Sequence, residues 1–262
     1  MALGLENTYT ILSSLMLNFD NTKIIHVAGS NGKGTLCSLI AASLTLSCES
    51  NVLFSSPHLC RVEERIRLEG RPISRTKFDQ ALTQVRDAAE KLSITPTFFE
   101  TTFLTAMIVT AEINPKFLIL ETGLGGRLDA TRCAPAELAI LTSITKEHAD
   151  ILGDDIYQII SEKAAIARPG KSIIAREMEV PNYRQTVEES AKRCSRSELN
   201  EKFDFAVCKF VTVPKDMSII DEAELLAKAA FDVLGLGNEN LSKAKKIVNW
   251  PARLQELSLS SG

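Results

Sequence analysis

The apolar run KIIHVA at Lys23–Ala28 passes directly into Gly29-Ser30-Asn31-Gly32-Lys33-Gly34-Thr35, and a helical pattern starts at Leu36. Strand, glycine-rich turn and helix in unbroken succession is the context that a phosphate-binding loop requires. Glycine lets backbone N–H groups curl around phosphate oxygens with no Cβ in the way, and the helix N-terminus adds a positive dipole end. Lys33 supplies a point charge for the β and γ phosphates. The alternative is an ordinary strand-to-helix turn that happens to be rich in glycine.

The rest of the chain repeats the alternation. Asn51–Ser55, Phe117–Thr122, Leu138–Ile144 and Ser172–Ala175 are nearly continuous apolar runs, as expected of parallel strands covered on both faces. Between them, Leu36, Leu39, Ile40 and Leu44 form an apolar helical stripe. Ser74 to Leu92 opens on an N-cap serine and carries Phe78, Leu82 and Val85 on one side. Phe99 to Ile113 is apolar nearly all round and predicts a buried helix, and Asp155 to Ala167 predicts another, stopped by Pro169-Gly170. Further on, 188–201 reads as a charged surface segment, Phe205–Val213 as a strand and Asp221–Leu234 as a helix. The pattern implies an α/β fold: one doubly wound, mostly parallel sheet in a single domain that ends near Trp250.

Composition narrows the function classes. A chain of 262 residues, 45% hydrophobic and 24% charged, can bury a core without staples and is not disordered. A net charge of −3 argues against nucleic acid as the main partner. The longest uncharged stretch, Gly34–Cys48, is shorter than the ~20 residues of a membrane span. The N-terminal MALGLENTYT lacks the basic n-region of a signal peptide. Six cysteines without a C-x-x-C pair read as reduced thiols. We therefore expect a cytoplasmic protein.

Gly34 stands where a phosphate loop usually carries the magnesium-binding hydroxyl. Thr35 is then expected nearer the α phosphate, so the oxygen ligands of a magnesium ion must come from elsewhere. Open α/β sheets place such groups at the carboxyl ends of strands. There the sequence offers Ser55-Ser56-Pro57-His58-Leu59, then Glu121 followed by GLGGRLD, and Lys146-Glu147-His148-Ala149-Asp150. Glu121 follows four apolar residues, an expensive place for a carboxylate unless it is paired or binds metal. Taken singly, a strand-end Glu can be structural and His148 a surface histidine. Lys163 lies on the apolar stripe of its helix, four residues after Ile159. Desolvation there would lower its pKa and favour a neutral amine; the alternative is a lysine snorkelling to solvent.

The motifs HVAGSNGKGT (26–35), SSPHL (55–59), ERIRLEGRPIS (64–74), TFFE (97–100), LETGLGGRLDAT (120–131), SITKEHADILGDD (143–155), SEKAAIARPG (161–170) and WPARL (250–254) occur in that order. With them the chain resembles the folylpolyglutamate synthase / dihydrofolate synthase family of the Mur ligase superfamily. The resemblance implies a Mur-ligase-type ATP-binding domain over 1–254 and a tail over 255–262. The implied reaction joins L-glutamate to dihydropteroate or a folate with conversion of ATP to ADP and phosphate. It assigns the ATP phosphates to Asn31, Gly32, Lys33, Gly34 and Thr35, and gives Arg253 an ATP contact. Ser56 and Glu121 would hold Mg²⁺, and His148 a second metal. Lys163 matches a lysine that is carbamylated in related ligases. Thr97, Phe98, Phe99 and Glu100, with Leu128, Asp129 and Ala130, match positions lining the pterin pocket.

The sequence departs from that family in three places. Ala252 replaces the usual glycine of the WPARL motif. Glu222 stands where the family has an adenine-reading asparagine. No counterpart of the C-terminal glutamate-binding domain, with its DGAHNP segment, is present. The resemblance therefore leads us to expect a separate C-terminal domain or a second protomer as partner. The competing reading is a catalytically retired nucleotide- or pterin-binding protein acting through a partner. A plain nucleotide kinase or GTPase explains neither SSPHL nor GLGGRLDAT.

Overall fold

The structure, a computed structural model, describes residues 4–146, 154–195 and 207–248. Its strands are β1 (Lys23–Ala28), β2 (Asn51–Phe54), β3 (Ile66–Leu68), β4 (Arg71–Pro72), β5 (Phe117–Glu121), β6 (Leu138–Leu141), β7 (Ser172–Arg176) and β8 (Val207–Val211). Its helices are α1 (Glu6–Ser14), α2 (Lys33–Leu46), α3 (Arg75–Leu92), α4 (Phe98–Ile113), α5 (Ile156–Ala164), α6 (Tyr183–Ser195), α7 (Ile219–Leu234) and α8 (Leu241–Ile247).

All the described strands join one sheet in the order β4-β3-β2-β5-β1-β6-β7-β8. From β2 to β8 the pairs are parallel, and the β3–β4 hairpin closes one edge antiparallel. β1 lies between β5 and β6, with Val27 beside Glu121 and Ala28 beside Leu141. Successive crossovers leave β1 toward opposite edges, so a crevice opens at its carboxyl end, where open α/β sheets bind ligands.

Alternation along β1 distributes its side chains between two helical layers. Ile25 and Val27 pack under α2, α7 and α8. Ile24 faces α1, α3 and α4, while Ala28 faces α5 and α6. The stripe Leu36, Leu39, Ile40 and Leu44 is buried, as is every residue from Thr102 to Thr110 in α4. Ser74 caps α3, accepting a hydrogen bond from the N–H of Lys77 at 3.2 Å.

Several elements differ from the sequence expectation. α1, α8 and the β3–β4 hairpin were not foreseen: β3 has 3 residues and β4 has 2, too few for alternation to register. α5 ends at Ala164 rather than Ala167, and β6 at Leu141 rather than Ile144. Of the charged segment expected at 188–201, residues 188–195 belong to α6, which begins at Tyr183 and buries Tyr183, Val187 and Ala191 against the sheet; the remainder lies outside the described residues. All six cysteines are free. No helix among the described residues is long and apolar enough to cross a membrane.

Candidate active site

The turn from β1 into α2 takes its shape from two glycines. Gly29 has φ +149°, and a Cβ there would stand 1.9 Å from Thr142 Oγ1. Gly32, with φ +83°, is the left-handed N-cap of α2; a side chain at such an angle is strained. The loop is braced from the segment after β6. The N–H of Ser30 donates to the Ser143 carbonyl at 2.7 Å, and the N–H of Thr145 donates to Ser30 Oγ at 2.9 Å. Lys33 folds over its own loop, its Nζ donating to the carbonyls of Gly29 and Ser30, each at 2.9 Å. Gly34 is buried, and Asn31 is exposed at the rim.

A cleft of about 820 Å³ opens beside this loop at the strand ends. Lys33, Ser56 and Glu121 line it at the loop end, and Thr97, Phe98, Phe99 and Glu100 line it from the start of α4. Leu128, Asp129 and Ala130 complete the wall. Lys33 and Ala130, 97 positions apart in the chain, thus face one space, because β1, β2, β5 and α4 all present their ends to the crevice.

Glu121 is buried at 4% exposure, and its Oε2 accepts the N–H of Ser56 at 3.2 Å. The Glu121 carboxylate and the Ser56 hydroxyl, which line the same cleft as Lys33, are hard oxygen donors of the kind Mg²⁺ selects, so their chemistry would suit a divalent cation. Among the described residues no cluster of three or more His, Cys, Asp or Glu is close enough to hold a metal without added ligands.

Two of the cleft carboxylates do structural work. Glu100 closes a capping box at the N-terminus of α4: Oε2 accepts the Thr97 N–H at 2.7 Å and Oε1 the Thr8 hydroxyl at 2.7 Å. Burial pushes Glu100 up, but the hydrogen bonds from Thr8 and Thr97 outweigh it and hold the carboxyl below its ordinary range. Asp129 folds the GLGGRLD loop around itself. Its Oδ2 accepts the N–H groups of Gly123 and Leu124 at 3.0 and 2.9 Å, and Oδ1 accepts the Thr131 N–H at 3.0 Å. Burial raises its pKa despite these bonds.

Below that loop lies a polar network the sequence did not reveal. His26, fully buried on β1, meets Thr131 Oγ1 at 2.8 Å and Thr122 Oγ1 at 3.0 Å through Nε2. Thr131 in turn donates its hydroxyl to Asp129 at 2.5 Å. Burial, then the charges of Arg168 and Arg132, hold the imidazole well below its ordinary value.

Lys163 does not snorkel. It is 3% exposed, and Nζ donates to the Gly29 carbonyl at 3.1 Å, which ties α5 to the glycine loop. The GLGGRLDAT segment docks on the same helix end: the Arg127 N–H donates to the Glu162 carbonyl at 2.9 Å, and Arg132 Nε to the Ala165 carbonyl at 2.6 Å. Gly126 permits this approach, since a Cβ there would lie 2.6 Å from the Glu162 carbonyl.

Glu222 lines a small hollow beside Asn31 and Gly32, with its carboxylate gripped by Arg176 Nε at 2.6 Å and Nη2 at 2.9 Å. His148 and Arg253 lie outside the described residues. Sequence reasoning also passed over Arg65, Arg127 and Glu162, which line the cleft. Arg65 and Arg127 sit inside quoted motifs, but nothing in their spacing separates a cleft residue from a surface one.

The Mur ligase middle domain model matches residues 27–231. The chain belongs to the Mur ligase family. This Mur ligase chain is 36% identical over 180 residues to the dihydrofolate synthase/folylpolyglutamate synthase of Escherichia coli (strain K12), a match covering 69% of this chain and 42% of that relative. Its structure is similar to E. coli FolC in complex with DHPP and ADP, with a TM-score of 0.83 and 29% identity over 98% of this chain and 64% of that one. It is also similar to a bifunctional folylpolyglutamate synthase/dihydrofolate synthase with Mn, AMPPNP and L-glutamate bound, with a TM-score of 0.82 and 29% identity over 98% of this chain and 65% of that one. This Mur ligase chain thus matches less than two thirds of the length of these relatives.

Proposed function

We propose that this chain carries the ATP-binding machinery of an ADP-forming ligase that joins L-glutamate to dihydropteroate or to a folate. The single observation that carries the reading is the shared cleft: Lys33, Ser56 and Glu121 line the same space as Thr97, Phe99 and Leu128. A nucleotide on the glycine loop and a flat aromatic acid against the α4 end would then meet.

The residues divide the task. The loop N–H groups and Lys33 hold the β and γ phosphates, and Lys33 draws charge from the transferring phosphoryl group. Ser56 and Glu121 would hold a magnesium ion, which supplies charge neutralisation at the phosphate oxygens when bound. The apolar wall of Phe99, Leu128 and Ala130 orients the acid so that its carboxylate oxygen attacks the γ phosphorus and ADP leaves. The glutamate amine then attacks the acyl carbon of the acyl phosphate, loses a proton and expels phosphate. Asn31, Gly34 and Thr35 belong to the phosphate cradle, Thr97, Phe98, Glu100, Asp129 and Ala130 to the acid wall, and His148 and Arg253 to the metal and nucleotide. Lys163 is assigned to carbamylation. The reading places the chain in the cytoplasm.

Incorporation of radiolabelled glutamate into each acceptor tests the proposal, with the chain alone and combined with the carboxyl-terminal part of a relative. ATP- and acceptor-dependent product supports it. ATP binding with no acceptor-dependent phosphate release or product under either condition overturns it in favour of a retired binding protein.

A further inference from the structure

Arg65 is the cleft cation to which the phosphate and metal assignments give no task. It is 8% exposed and lines the cleft near Pro57 and Phe98. Its backbone is fixed, because the Ser55 N–H donates to the Arg65 carbonyl at 2.9 Å. Its side chain is fixed as well. Nε donates to His58 Nδ1 at 2.9 Å, and the guanidinium carbon stands 5.0 Å from the centroid of the Phe98 ring. His58 closes the group with its own ring 6.2 Å from that of Phe98. Phe98 nevertheless stays 59% exposed on the cleft wall, an unusual position for so large an apolar ring.

The other cleft cations are satisfied: Arg127 pairs with Glu162 at 2.6 Å, and Lys33 caps two loop carbonyls. Among the described residues Arg65 has no carboxylate at ion-pair distance and no protein acceptor for its Nη atoms. Burial draws its pKa down with no opposing carboxylate. A guanidinium partly shielded from water and without a counter-charge gains from an anionic ligand that reaches its open edge. With Nε taken by His58, the end-on edge formed by Nη1 and Nη2 remains, and that edge matches the two oxygens of a carboxylate.

We propose that Arg65 binds the carboxylate of the acid substrate through this edge, and that the exposed ring of Phe98 carries the adjoining aromatic part. The inference rests on the ligase reading above and adds to it the residue that distinguishes an acid from its neutral analogue. His58 acts as a positioning residue that holds the guanidinium edge toward the cleft.

The test titrates the full chain and its Arg65→Met and Arg65→Lys variants with pteroate and with pteroate methyl ester, followed by ligand fluorescence. AMPPNP binding by calorimetry reports that each variant is folded. The parent is expected to bind the acid at least tenfold more tightly than the ester. Arg65→Met, which keeps the stem volume, is expected to bind both alike at about the ester's affinity, with AMPPNP affinity unchanged. Arg65→Lys is expected to recover part of the difference. Equal acid binding by parent and Arg65→Met overturns the proposal, as does a loss that falls equally on acid and ester. A parent that binds neither compound overturns the ligase reading beneath it, a result distinct from any difference between parent and variant.

Discussion

Lys163 Nζ, from α5, donates to the carbonyl of Gly29 at 3.1 Å, the same oxygen that accepts Lys33 Nζ at 2.9 Å. Two amines from different helices therefore converge on the first residue of the glycine loop. The left-handed bend at Gly29 turns that carbonyl toward them, so the loop's geometry also sets where α5 docks.

Lys33 is the loop's own cation, and a charge-assisted contact to phosphate is worth ~1.5–3 kcal/mol. Lys33→Ala is expected to weaken ATP binding by roughly 10- to 100-fold in calorimetry. Pteroate binding at the far end of the cleft should change little. ATP affinity equal to the parent's would remove the phosphate-loop assignment.

Lys163 is expected to take up CO₂, its Nζ bonding to the carbon with loss of a proton. A ¹³C-bicarbonate NMR signal in the carbamate region should appear with nucleotide bound and vanish in Lys163→Ala. Its absence from the parent would overturn the carbamylation assignment and leave Lys163 a buried amine that donates to Gly29.

Gly126→Ala places a methyl group 2.6 Å from the Glu162 carbonyl and 3.0 Å from that of Lys163. Backbone cannot yield as a side-chain tip does, so the GLGGRLDAT segment must lift from α5. A loss of ~1–3 kcal/mol is expected, read as a lower midpoint in chemical denaturation. Pteroate affinity should fall more than ATP affinity, since the segment walls the acid end. An unchanged midpoint would show that the docking is dispensable.

His26 gives stability a pH dependence of definite sign. Its native pKa is held well below 6.5 by burial, then by Arg168 and Arg132. Below about pH 6.5 the unfolded chain takes a proton that the native state refuses, so stability falls as pH falls, by up to ~1.4 kcal/mol per pH unit. Urea unfolding between pH 7 and pH 5 should show this slope reduced in His26→Gln by about one proton's worth. Parallel slopes for parent and variant would place the titration elsewhere.

The central strands were legible because strands buried on both faces read as unbroken apolar runs, and β1 was foreseen to the residue at Lys23–Ala28. The glycine loop was legible for a related reason: backbone that must bend left or approach closely admits few residue types. The β3–β4 hairpin was hidden by its brevity, and α6 by a charged outer face that masks Tyr183, Val187 and Ala191.

The sequence by itself determined the alternating α/β order, the buried stripes and the loop at 29–35, since these depend on local periodicity and backbone freedom. Only the tertiary structure decided that Glu100 and Asp129, both on the cleft wall, also use their carboxylates to cap α4 and to fold the GLGGRLD loop. It also decided that His26 lies under Thr131, that Lys163 points inward to Gly29, and that Arg65 stands in the cleft with its outer edge open. Those outcomes turn on which distant donors and acceptors the crossovers bring within about 3 Å, the range over which a hydrogen bond acts. Spacing along a chain carries no information about that distance.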